Sequence, residues 1–156
     1  MIAAVVLMFT AQTAAGKLPP AQALPPPTSE EQVVLNSANA LLAAFTTGNA
    51  AEIMRWVYPD GRVTGTGKFP NRSGLRSESW TQFTQRAAGS GFQEGISDPA
   101  IEVDGDAAMI WAPFVVRVGG KVHNCGFDHF DLVRENGAWK VMNLTFSSRT
   151  AGCPAQ

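Results

Sequence analysis

The stretch HNCGFDHFD, residues 123–131, places two histidines, one cysteine and two aspartates within nine positions. These are common zinc ligands, and histidine and aspartate are common catalytic acids and bases. On a strand, His123 and Cys125 would point the same way, but His129 lies about 20 Å further along an extended chain than His123. The spacing therefore predicts no metal site, and nothing else in the sequence indicates a cofactor.

The strands that would position these side chains are predicted from the turns between them. Asp104-Gly105, Gly119-Gly120 and Asn136-Gly137 each have the composition of a two-residue hairpin turn, and polarity alternates between them. They predict an antiparallel meander of four strands. The predicted strands are residues 96–103, 106–118, 121–134 and 138–148.

Two-residue hairpins at these turns place Asp128 opposite Trp111 in one neighbouring strand and opposite Thr145 in the other. Because side chains alternate, the polar stretch divides between two faces of the sheet. One face carries Trp111, Asp128, Phe130, Asn143 and Thr145. The other carries His123, Cys125, His129 and Asp131, together with Phe114, Phe127 and Leu144. Both faces are apolar, so helices are expected to cover one and a second copy of the chain the other, giving a homodimer through the outer sheet face.

Apolar residues recur at helical spacing in three segments before the strands. The first begins at a capping box of Thr28 and Glu31 and ends at Gly48. The second begins at Asn49, and the third begins near Ser77. Helices followed by an antiparallel meander predict an α+β fold.

The N-terminal part of the chain has a different composition. Residues 1–15, MIAAVVLMFTAQTAA, are an apolar run followed by small residues, which is typical of a signal peptide; the alternative is a buried apolar segment. The run is shorter than the about 20 residues of a membrane span, so no integral span is expected. Residues 16–28 contain five prolines and predict an extended linker before a folded domain at 29–153. We therefore expect export to the periplasm or the medium.

The two cysteines are the only ones in the chain. In an exported protein, Cys125 and Cys153 predict one disulfide, and closing a loop of this length contributes about 3–4 kcal/mol in the chain-entropy model. Two free thiols are the alternative for a cytosolic protein.

Charge and motifs exclude several classes of function. The chain has 12 basic and 13 acidic residues, a net charge of −1, and no basic cluster that would bind nucleic acid. No Gly-x-Ser-x-Gly motif is present for a serine nucleophile. The Gly-Thr-Gly at residues 65–67 lacks the strand–helix context of a dinucleotide-binding loop.

The YPDGRV segment after the second helix, and ENGAWKVMNL with HNCGFDHFDLV before it, resemble the nuclear transport factor 2-like superfamily, in its SnoaL-like and lumazine-binding-like branches. The resemblance covers residues 29–149. It implies a cone-shaped fold of three N-terminal helices packed on a curved antiparallel sheet, a pocket inside the cone, and frequent dimerisation. The fold hosts enzymes and proteins without chemistry, so it does not fix a function.

The resemblance also implies a role for Asp128. In the ketosteroid isomerase branch, a protonated Asp on the penultimate strand donates a hydrogen bond to the developing oxyanion, and Asp128 stands at the matching place. The branch's helix-one Tyr and base Asp correspond to Leu41 and Gly65 here, so this isomerase activity is not expected. Asp128 stays the best catalytic candidate; the alternative is a structural Asp that accepts hydrogen bonds from Trp111 or Thr145.

Three functions follow from these observations. The first is an exported protein that binds a small, largely apolar molecule between Trp111 and Phe130, with polar contacts from Asp128, Asn143 and Thr145. The second is a small isomerase, dehydratase or hydrolase with Asp128 as acid or base. The third is a non-catalytic dimeric interaction module.

Overall fold

The computed structural model describes residues 24–87 and 92–154, and these contain three helices and eight strands. The predicted signal peptide (1–15) and most of the predicted linker (16–28) lie outside the described residues. In chain order the elements are α1 (Ser29–Thr47), α2 (Ala50–Trp56), β1 (Val57–Phe69), β2 (Arg72–Ser73), β3 (Arg76–Ser79), α3 (Trp80–Ala87), β4 (Phe92–Ile96), β5 (Ala100–Asp104), β6 (Ala107–Val118), β7 (Lys121–Glu135) and β8 (Ala138–Ser148).

The helix ends follow local signals in the sequence. Thr28 Oγ1 accepts from the backbone N–H of Glu31, and Glu31 Oε2 accepts from the backbone N–H of Thr28, so the predicted capping box is confirmed. Gly48 ends α1 in the left-handed region, with φ of 61°. The Asn49 side chain caps α2. No helix in the described part of the chain is long and apolar enough to cross a membrane.

The strands form one mixed sheet in the order β2-β1-β8-β7-β6-β4, in which β3 also pairs with β1 and β5 with β6. All pairs are antiparallel except β1 with β8, which is parallel. The α+β fold is confirmed, but the sheet is wider than the predicted meander. The predicted first strand, 96–103, corresponds to β5, which begins after Pro99, a residue that cannot donate a ladder hydrogen bond. β4 ends at Ile96 and was not predicted as a strand.

A β-bulge shifts the pairing of β6 with β7. The two-residue turn at 119–120 forms as predicted, but His123 is an extra residue without a partner. Beyond it, Trp111 lies opposite His129 rather than Asp128. A one-residue slip moves every later side chain of one strand to the other face relative to its partner. The predicted register of this hairpin is therefore wrong beyond the bulge.

A second irregularity shifts the pairing of β7 with β8. Asp131 lies opposite Asn143, while the next residue of β7 lies opposite Val141, so Met142 is skipped. As a result Asp128 lies opposite Phe146, not Thr145 as predicted.

The inner face of the sheet, defined here as the face that packs on the helices, carries the core. Phe45 of α1, Trp80 of α3 and Phe130 of β7 are fully buried in one hydrophobic cluster. Trp80 Nε1 donates a 2.9 Å hydrogen bond to the backbone oxygen of Met142, which attaches α3 to the sheet at the second irregularity. The opposite side of the sheet is called the outer face.

The predicted disulfide is present. Cys125 and Cys153 are bonded, with their Cα atoms 5.6 Å apart. The backbone N–H of Cys125 donates to the oxygen of Arg149, and the N–H of Arg149 donates to the oxygen of Cys125. The bond and this bridge fasten the segment after β8 to β7.

Candidate functional site

A pocket of about 470 Å³ lies between the helices and the inner face of the sheet. This volume is within the range of small-molecule sites. Much of its wall is aromatic. The aromatic residues lining it are Phe45, Phe69, Phe83, Phe92, Phe114 and Phe146. Such a wall binds the apolar body of a ligand through burial of its surface.

Glu94 of β4 lines this apolar pocket and is partly exposed to it. Burial raises the pKa of Glu94 from 4.5 to about 7, although the contact of its carboxyl with Asp128 partly opposes this shift. A carboxyl with this pKa exchanges its proton near neutral pH, which suits a general acid or base.

Asp128 lies behind Glu94 and is fully buried. Burial raises its pKa well above the usual range, and the negative charge of Glu94 and a contact between the two carboxyls raise it further. The contact is too loose to satisfy either carboxyl oxygen of Asp128, and no other partner reaches them within the described residues. Burial and the neighbouring carboxyl therefore favour the protonated form of Asp128, and Glu94 is the group of the pair that reaches the pocket.

Three arginines line the same pocket from its other side: Arg72 of β2, Arg76 of β3 and Arg86 of α3. Arg76 and Arg86 share the carboxylate of Glu78, whose side chain is only 7% exposed. The guanidinium of Arg72 lies over the ring of Phe69 at 3.6 Å. Burial lowers the pKa of Arg72, and the charges of Arg76 and Arg86 lower it further.

The bulge in β7 contributes polar residues to the pocket wall. Asn124 is buried, and its Nδ2 donates a 3.1 Å hydrogen bond to Ser148 Oγ, which donates to the backbone oxygen of Lys68. His123 also lines the pocket, and one of its ring nitrogens lies 3.2 Å from Asn124 Oδ1.

The structure divides the five predicted ligand-binding residues between the two faces. Asp128 and Phe130 lie on the inner face and are fully buried, Asp128 beside Glu94 and Phe130 within the core. Trp111, Asn143 and Thr145 lie on the outer face, because the two register shifts described above reverse their side. The predicted grouping around Trp111 is therefore wrong, and ligand binding by these five residues stays a prediction.

The group predicted on the opposite face is also divided; its members are His123, Cys125, His129 and Asp131. Cys125 is in the disulfide, and His129 Nε2 lies 3.6 Å from Asp131 Oδ1 on the outer face, whereas His123 borders the pocket. Phe114 and Leu144, predicted with them, border the pocket as well. Within residues 24–87 and 92–154, no group of three His, Cys, Asp or Glu side chains is arranged to hold a metal.

The sequence prediction missed Glu94 and the arginines. Phe92, Glu94 and Ile96 are two residues apart and would share one face of a strand. This spacing was a signal for a strand, but the segment was interpreted as the end of the third helix. The arginines come from separate elements that are neighbours only in the folded chain, so no local spacing could have grouped them.

The comparisons with known proteins come from structure alone, since no family model and no curated protein matches the sequence. The chain is similar to an NTF2-like protein from Cytophaga hutchinsonii, with a TM-score of 0.65 and 13% identity over 78% of this chain and 100% of that chain. It is also similar to an NTF2-like protein of unknown function from Silicibacter pomeroyi, with a TM-score of 0.60 and 17% identity over 78% of this chain and 99% of that chain. A third similar structure is a putative calcium/calmodulin dependent protein kinase II association domain from Xanthomonas campestris, with a TM-score of 0.63 and 20% identity over 83% of this chain and 94% of that chain.

Proposed function

We propose, from the nuclear transport factor 2-like fold that this chain shares with those structures, that it is an exported protein that binds a small organic molecule. The observation that carries the proposal is the pocket of about 470 Å³, which combines an aromatic wall with polar and charged side chains. Pockets of this kind bind ligands through apolar contact and use the polar groups to orient them. The polar groups on the sheet side are Glu94, whose pKa Asp128 tunes as a buried partner, and His123 and Asn124 at the bulge.

Export is supported by the disulfide between Cys125 and Cys153, because such bonds persist in oxidising compartments. The apolar run at 1–15 and the prolines at 16–28 have the composition of a signal peptide and a tether. Expression with the native N-terminus, followed by fractionation and N-terminal sequencing, tests this part. Retention of residues 1–15 on a cytosolic protein would contradict it.

Ligand binding is tested by native mass spectrometry on protein from an exporting host, together with a ligand-observed NMR screen of small organic molecules. Val116 is buried and lines the pocket, so Val116→Phe should narrow it and weaken binding. The neighbouring Val115 lies on the opposite face of the same strand, and Val115→Phe is the matched control that should bind normally. Equal binding by wild type and both variants would place the ligand elsewhere.

A second candidate function, a small acid–base enzyme, is favoured by the pKa of Glu94 near 7 at the wall of the pocket. In this case Glu94 takes a proton from the bound molecule and returns it, while Asp128 stays protonated beside it. Exchange of an acidic C–H of the ligand with deuterated water, followed by NMR, measures the step. The rate of exchange should rise with pH through about 7, and it should be lost in Glu94→Gln while ligand binding is retained. Exchange at the wild-type rate in Glu94→Gln would reject the enzyme.

Dimerisation through the outer face is part of the proposal. Trp111 is 46% exposed there and stacks on Phe127, with ring centroids 5.4 Å apart. Exposed aromatic clusters of this kind are typical of interfaces. The structural likeness to an association domain adds support. A chain that only dimerises, without a ligand, would be the interaction module, and the binding screen above distinguishes it.

A further inference from the structure

The charges around the pocket are unequally distributed, and this has a consequence for the ligand. Three guanidinium groups line one side, from β2, β3 and α3, while the carboxyl of Glu94 lies on β4, at the other end of the strand order. Glu78 is the carboxylate that pairs with Arg76 and Arg86, and one carboxylate offsets one of these two charges.

Arg72 has no carboxylate within 4 Å in the part of the chain that the structure describes. Its polar contact is a long hydrogen bond, 3.3 Å, from Nη1 to the backbone oxygen of Gly74. The guanidinium carbon lies 3.6 Å from the centre of the Phe69 ring, a contact that positions the group without using its N–H donors. Burial lowers the pKa of Arg72, and the charges of the neighbouring Arg76 and Arg86 lower it further, so an anion near this group would relieve repulsion among the three.

We propose that the pocket selects an organic acid, whose carboxylate binds Arg72 and whose apolar ring or chain lies against the phenylalanines. A planar guanidinium with free donors fits a carboxylate in a bidentate manner. The separation of the arginines from Glu94 orients the molecule, because its anionic end is attracted to one side and repelled from the other. This inference rests on the proposed function and names the class of ligand.

The experiment is a binding screen with matched pairs of small aromatic and alicyclic carboxylic acids and their neutral carboxamides, measured by ligand-observed NMR and titration at pH 7.5. Each acid should bind at least about tenfold more tightly than its amide, the size of one charge-assisted hydrogen bond. Arg72→Met should remove this preference, and Arg72→Lys should keep part of it because the charge remains. Arg55→Met is the matched control, since Arg55 is an exposed arginine on α2 away from the pocket.

The outcomes separate the two proposals. Preference for acids that is lost in Arg72→Met but kept in Arg55→Met supports the inference. Equal binding of acids and amides overturns the inference and leaves small-molecule binding intact. Preference for acids that survives in Arg72→Met overturns the role of Arg72. Binding of neither series rejects the inference and the proposed binding function together.

Discussion

The pocket-facing carboxyl makes the stability of the protein depend on pH in a direction opposite to that of most carboxylates. Glu94 has a pKa of about 7 in the folded state, against 4.5 for an ordinary glutamate. Between these two values, the folded state holds a proton that the unfolded state has released. The contribution of Glu94 to the free energy of unfolding is therefore fully present below about pH 4.5 and is lost as the pH rises through about 7.

The size of this loss follows from the gap between the two pKa values. At about 1.4 kcal/mol per pH unit, it is on the order of 3 kcal/mol. Glu94→Gln removes the titrating group, so the variant should lose less stability than wild type between pH 4.5 and 8, by up to this amount. Asp128 is buried in both proteins, so its own titration largely cancels from the difference in stability between wild type and Glu94→Gln. The part that does not cancel is the rise in the pKa of Asp128 that the charge of Glu94 causes.

Urea unfolding of wild type and Glu94→Gln at pH 4.5, 6 and 8 measures the effect through the midpoint at constant m-value. Glu102→Gln is the matched control: this glutamate is exposed on β5 and should leave the pH dependence unchanged. Parallel pH profiles of wild type and Glu94→Gln would refute the reasoning, because they would mean that Glu94 titrates as an exposed carboxyl.

Three further predictions concern other parts of the molecule. Asp128→Leu should raise the pKa of Glu94 above about 7, because it removes the polar neighbour whose contact lowers that pKa, whereas Asp128→Asn should hold it close to the wild-type value. Carboxyl ¹³C NMR measures both variants, and identical titrations would contradict the pairing. Cys125→Ser should cost about 3–4 kcal/mol in unfolding free energy, and Cys153→Ser in the same background should add little; a melting temperature unchanged by reduction would contradict a structural bond. If the proposed homodimer forms through the outer face, Trp111→Ser should weaken it in sedimentation velocity without changing ligand binding. Loss of ligand binding with an unchanged oligomeric state would place Trp111 in the site instead.

Features that depend on neighbouring residues could be predicted from the sequence. The capping box at Thr28, the left-handed Gly48 and the cap at Asn49 are each determined within a few positions, and they fix the ends of α1 and the start of α2. The turns at 119–120 and 136–137 are equally local. The α+β fold followed because these signals separate a helical part from an alternating part.

Features that depend on distant packing could not be predicted. Nothing in the sequence around His123 signals a bulge, and the residue next to it, Asn124, is hydrogen-bonded to Ser148 of another strand. The parallel pairing of β1 with β8 is likewise a long-range contact. Asp128 was identified from the sequence as the best catalytic candidate, but its partner Glu94 lies on β4, in a segment that was interpreted as the end of the third helix.

The bulge at His123 also constrains how this hairpin can change in evolution. Substitutions at its exposed tip, Gly119-Gly120, alter only the turn. Deleting the single bulged residue would remove the bulge and leave Trp111 opposite His129, because the pairs on both sides of position 123 already match those of a regular hairpin one residue shorter. We therefore expect that this hairpin tolerates the loss of one residue at position 123. A one-residue insertion or deletion within the regularly paired part of β6 or β7 would instead turn the apolar side of one strand to water, so single-residue length changes should concentrate at the bulge.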